Sequence, residues 1–151
     1  MAKYMMSGNA GTATSTAASA GLGKVEQGTT TTVIKILGFV CGPQASSADN
    51  TYGVNLKRQS TQGTYGTGVT PSPTDANMKA CSATGATSAT SAGTAGTELW
   101  RGGFHMRAGI QIVPIPGAEW FVVTTTCNSI FLNYLYAQGA DVNSIAFTFE
   151  E

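Results

Sequence analysis

The pattern that most narrows the possible folds lies at the end of the chain. From Asn143 to Glu150 the residues alternate without a slip, with Ile145, Phe147 and Phe149 on one side and Ser144, Ala146 and Thr148 on the other. A period of two marks a half-buried strand; a helix of this sequence would scatter its aromatics around the axis. The rest of the chain repeats the message. Thr29–Val40 leads from a Thr tract into Val33, Ile34, Lys35, Ile36 and Leu37, side chains that fit a pleated surface, and Gly42-Pro43 reads as its stop. Tyr52–Gln59 alternates Val54 and Leu56 with Asn55 and Lys57, and Pro71 and Pro73 close the Thr/Gly run behind it. Leu99–Val113 reads as a strand broken near Gly102–Gly103 and Gly109, with Ile110 and Ile112 on one face. Ala118–Thr126 and Ile130–Tyr136 follow the Pro114–Gly117 turn. No stretch sustains a helical period; Ser129–Ala137, the one candidate, is apolar all round and rich in β-branched and aromatic residues. Short strands between Gly/Pro turns predict an all-β antiparallel sandwich or barrel.

Two regions stand apart. Residues 1–31 are almost all Ala, Gly, Ser and Thr, interrupted at Tyr4–Met6 and Leu22–Gln27. So few large apolar side chains do not offset the entropy of ordering such a segment. It is therefore expected to be a flexible N-terminal arm that orders only on a neighbouring subunit, with Tyr4, Met5, Met6 and Leu22 as anchors. Residues 32–151 are expected to form the β-sandwich domain. Thr74–Thr97 turns small and polar again, and is expected as a long surface loop or weak edge strand at a tip or interface.

Composition limits the function. Only 11% of the 151 residues are charged, against roughly 25% in an ordinary soluble domain. Eight basic and eight acidic side chains cancel, which argues against a nucleic-acid partner and leaves little repulsion to keep copies apart. Cys41, Cys81 and Cys127 are an odd set without a CxxC pair, expected to be reduced thiols in a chain made in a cytoplasm rather than a disulfide framework or a zinc site. The start, MAKYMMSGNAG, has no apolar core of the kind a signal peptide needs. No apolar run approaches the roughly 18 residues of a membrane span.

Catalytic chemistry finds little purchase. His105 is the one histidine, so any Ser or Cys nucleophile would have to use it, and a lone strand histidine is usually structural. Glu119 beside Trp120 suggests carboxylate chemistry or a sugar platform, yet reads more simply as a solvent-facing strand residue next to a core tryptophan. Phosphate-cradling motifs are absent; Gly66-Thr67-Gly68 has no helix behind it. The chain is expected to be no enzyme and to take no cofactor, metal or small-molecule substrate. Lys57 and Arg58 are an adjacent basic pair suited to an acidic partner surface. A carbohydrate-binding sandwich is the alternative, with Trp100, Trp120 or Tyr65 as the exposed aromatic.

The stretch Leu56-Lys57-Arg58-Gln59-Ser60-Thr61-Gln62-Gly63-Thr64-Tyr65-Gly66-Thr67-Gly68-Val69-Thr70-Pro71 resembles a recurring pattern in small tailed-phage virion proteins. Two further elements resemble that group: a late Ile115-Pro116-Gly117-Ala118 turn before a strand, and a Phe149-Glu150-Glu151 ending. The resemblance covers residues 32–151 and leaves out the N-terminal segment. It implies a jelly-roll-like domain that decorates or cements the outside of a bacteriophage capsid, commonly as a trimer, with the major capsid protein as partner.

Overall fold

The computed structural model describes residues 1–12, 21–27, 32–45, 51–59, 63–91, 94–105, 107–122, 129–135 and 142–151. They form strands β1 (Lys3–Thr12), β2 (Gly21–Glu26), β3 (Ile34–Ala45), β4 (Thr51–Gln59), β5 (Thr64–Val69), β6 (Ser72–Pro73), β7 (Thr84–Ser91), β8 (Ala95–His105), β9 (Ile110–Ile112), β10 (Trp120–Val122), β11 (Ser129–Tyr134) and β12 (Val142–Glu150). Among the described residues there is no helix. Two antiparallel sheets pack face to face, so the molecule is a β-sandwich. The first sheet runs β10-β3-β12-β1-β6, with β9 taking the next length of β3's edge beyond β10. The second runs β5-β7-β2-β11-β4-β8.

Connectivity weaves the sheets together. β1, β3 and β12 lie in the first sheet and β2, β4 and β11 in the second; β8 joins the second, and the β9–β10 edge returns to the first. The β5–β7 segment is inserted between β4 and β8. Its outer strands extend the second sheet past β2, while β6 extends the first past β1.

The core is the space between the sheets. From the first come Tyr4, Met6, Ile34, Ile36, Phe39, Ile145, Phe147 and Phe149; from the second, Val25, Tyr52, Val54, Leu56, Ile130, Leu132 and Tyr134. The alternation read at the C-terminus is the inward set of β12, and Phe147 and Phe149 have no exposed surface. Phe39 is the aromatic centre, with Trp100 edge-on at 5.3 Å, Trp120 at 6.1 Å and Phe147 at 6.2 Å between ring centroids. Tyr52 packs on Phe104 and Tyr134 at 5.8 Å each. Gly109, at φ +69°, breaks the chain between β8 and β9 as expected.

The expected N-terminal arm is corrected. Lys3–Thr12 and Gly21–Glu26 are strands inside the sheets, and β1 lies between β12 and β6. Residues 13–20 and 28–31 lie outside the described residues. Counting large residues misled because a strand needs only a few inward side chains once sheet hydrogen bonds hold it, here to β12 along its length and to β6 at Tyr4 and Met5. β1 spends Tyr4 and Met6 on the core, and its small residues let other strands approach. Gly8 lies against Val69 and Thr87, and a Cβ at Gly85 would sit 2.0 Å from the Met6 sulfur. The chain ends complete the closure. Ala2 and Glu151 exchange backbone hydrogen bonds at 3.1 Å, and the Glu151 carboxylate accepts from the amides of Ser82 and Ala83 and from the Ser82 hydroxyl.

Three smaller expectations also shift. Thr84–Ser91 is no loop: β7 is an inner strand between β5 and β2, with Ala86 and Thr87 buried. β3 runs through Gly42-Pro43 instead of stopping there; Pro43 stands opposite Asn143 next to a register shift, a place where a strand tolerates a missing N–H. β8 runs unbroken through Gly102–Gly103.

Candidate interaction surfaces

The residues first considered for catalysis make local contacts within the chain. His105 closes β8, exposed, and its Nδ1 accepts a hydrogen bond from the Arg107 amide at 3.3 Å. The Glu119 carboxylate accepts from the Gly117 amide at 2.8 Å and pairs with Lys35 at 3.1 Å. Its own backbone N–H first, then Lys35, hold its pKa below the usual carboxylate value. Burial pushes the Cys41 thiol up to about 12. Burial, with the Glu151 charge, also raises the half-buried Cys81. Both thiols are therefore protonated at neutral pH, unlike a nucleophilic cysteine; Cys127 lies outside the described residues. Among those residues, no three His, Cys, Asp or Glu side chains gather to hold a metal ion.

The three aromatics of the carbohydrate alternative are partnered. Trp100 and Trp120 are half-buried on Phe39. Tyr65 receives a hydrogen bond from Gln59 at 3.3 Å, with the Lys24 ammonium 5.0 Å above its ring.

The expected partner-binding residues separate. Tyr4, Met6 and Leu22 are core residues, not anchors for another subunit. The Tyr4 ring stacks on Phe149 at 5.7 Å and its hydroxyl donates to the Lys79 carbonyl at 3.1 Å. Met5, pointing the other way, is 48% exposed. Lys57 and Arg58 are half-buried neighbours on β4, and strand alternation sends them to opposite faces, so they do not act as one basic patch.

The two sheets present contrasting outer faces. That of the second carries its charges already matched. Register sets Lys24, Phe131, Lys57 and Glu98 side by side across β2, β11, β4 and β8. Lys24 pairs with Glu26. Arg101 grips Glu98 with two hydrogen bonds of 2.9 Å, and Asn55 donates to the same carboxylate at 2.6 Å. Arg101, then Asn55, lower the Glu98 pKa. Buried Ser129 donates to Gln59 beside them.

The outer face of the first sheet confines charge to one row, Lys35, Glu150 and Lys3 across β3, β12 and β1. Beyond that row come Thr148 and Met5, then Val40, Ala146 and Ser7, then Ser144 and Asn9, with no ionisable group. Val40 is 45% and Val113 65% exposed. Two shallow depressions of about 420 and 240 Å³ meet at Val40. Sequence reasoning did not single out this surface, although Ser144, Ala146 and Thr148 showed that the outward side of β12 lacks charge. What no local pattern gives is that β3 and β1, beside it, are just as bare.

Three sheet edges are protected, while the fourth, β5, is a largely exposed six-residue strand without charge or proline. β6 is two residues long and ends in proline; the β9–β10 edge is interrupted by Pro114 and Pro116. β8, the longest, meets β4 through two register shifts and carries Glu98 and Arg101. Short strands, prolines, bulges and charges all oppose strand addition by another chain. No family model, curated protein or solved structure matches the chain.

Proposed function

We propose that this chain is a structural virion protein: a jelly-roll domain that decorates or cements a bacteriophage capsid as a homo-oligomer, on the outside of the particle. The observation that carries the reading is the strand order. With the inserted β5–β7 set aside, the sheets run β1-β12-β3-β9/β10 and β2-β11-β4-β8, and successive strands alternate between them except at β4–β8. This order supports reading the sandwich as a double-sheet jelly roll, an architecture used by viral capsid and lectin domains. Fold alone does not set function. Three features turn the reading towards assembly: the resemblance at Leu56–Pro71 and at both late motifs, the zero net charge, and an outer face of the first sheet whose charge is confined to one row.

Mechanically, a decoration protein bridges neighbouring shell subunits and opposes their separation. With β1 and β2 built into the sheets, attachment rests on preformed surfaces, whose docking loses less conformational entropy than the ordering of an arm would. Many weak contacts repeated over a shell add through multivalency. The test is stoichiometry: the chain is quantified against the major capsid protein in purified particles. A simple integer relation to the shell subunit supports decoration. A handful of copies would move the protein to a vertex or tail, and absence from the particle would overturn the reading.

A further inference from the structure

We infer that the outer face of the first sheet is a two-fold contact between two copies of this chain. The inference needs no capsid and stands or falls separately from the decoration reading. Its basis is a self-complementary register. Across β10, β3, β12 and β1 the charged row reads Phe121, Lys35, Glu150, Lys3. A two-fold axis in the plane of the face, parallel to the strands and between β3 and β12, lays this row on its own reverse. Lys35, which within its own chain pairs with Glu119 at 3.1 Å and Glu150 at 3.9 Å, then also faces Glu150 of the second copy, so that the pairs join across the axis, and each Lys3 ammonium faces a Phe121 ring, a favourable cation–π pairing.

The uncharged rows follow the same rule. Val40 and Ala146 are cross-strand partners, so the axis sets Val40 of each copy against Ala146 of the other. A large side chain meets a small one, as interdigitating sheet faces require. Turning the axis perpendicular to the strands would instead press the charged row onto bare Ser and Ala positions, leaving charges desolvated without partners. The register therefore selects one orientation.

Area sets the strength. Four strands at about 4.8 Å spacing and about six residues along each cover on the order of 400 Å² per copy. That is near the largest apolar patch of ordinary monomers and below a standard stable interface. The contact is accordingly a reversible one, governed by concentration.

Sedimentation equilibrium over a concentration series, from micromolar upward, tests it on the chain alone. The mass should rise from 15.5 kDa towards twice that value. Val40→Asp should weaken association about tenfold or more by placing an unpaired charge in the contact, and Ala146→Arg should do the same by filling the space that Val40 needs. Lys35→Glu should also weaken it, and Lys35→Glu/Glu119→Lys/Glu150→Lys, which keeps Lys35's pairs within each chain in reversed sign, should restore it. A chain that stays monomeric throughout, or that settles at three copies, overturns the two-fold contact. So does a folded Val40→Asp or Ala146→Arg that associates like the parent, or a folded triple reversal no better than Lys35→Glu.

Discussion

The two outer faces of this sandwich differ in how far their charges spread. On the second sheet, Lys24–Glu26 and Asn55–Glu98–Arg101 match their charges within the chain, so the face is complete as it stands. On the first, the charges are gathered at one row, where Lys35 pairs with Glu119 and Glu150, and the outward positions beyond it are mostly small, apolar or hydroxyl-bearing. A protein with 11% charged residues has few to distribute, and where it leaves them out is informative. Bare, flat surface costs nothing in the folded chain and favours association, whereas a satisfied network stabilises the fold and offers a partner little.

The contrast can be broken at several points. Both faces hang on one core only if the N-terminal strand belongs to it. Met6→Ala should therefore cost about 2–5 kcal/mol in denaturant unfolding, the range for a fully buried large-to-small change; a flexible arm would show almost none. Asn55→Ala, on the second sheet, should cost about 1–2 kcal/mol through the lost charge-assisted hydrogen bond to Glu98, with association unchanged. Val40→Asp, on the first, should change unfolding by under about 1 kcal/mol while loosening association. If Asn55→Ala loosened association and Val40→Asp unfolded the chain, the two faces would have to exchange roles. The smallest effect is in pH. Because Glu98 has a lowered pKa in the fold, its pairing stabilises the protein above the ordinary carboxylate value and is lost as pH falls through the lower folded one. Glu98→Gln should therefore show a shallower loss of stability in acid than the parent; identical acid profiles would mean that the pair contributes nothing.

Parts of the fold were legible where strands announce themselves locally. β12 alternates perfectly, β4 nearly so, and Gly109 and Gly117 take positive φ where turns were read. β1 and β7 were not legible because their fitness is relational. TGATSATS carries no large side chain, and becomes an inner strand because β5 and β2 supply hydrogen bonds on both sides and Gly85 makes room for Met6. The same holds for the candidate surface. Lys57 and Arg58 drew attention as adjacent charges, yet adjacency along a strand separates side chains. Val40, Ala146 and Ser7 form a surface through pairing order, which lies beyond any single window of sequence.

The measurement that bears most directly on the contrast is hydroxyl-radical footprinting of the native chain at low and high concentration. Met5 and Phe121 are exposed on the first sheet and report on its face, while Tyr65 reports on the second sheet. The account predicts that oxidation of Met5 and Phe121 slows as concentration rises while Tyr65 is unaffected. Protection at Tyr65, with Met5 and Phe121 oxidised at an unchanged rate, would contradict it.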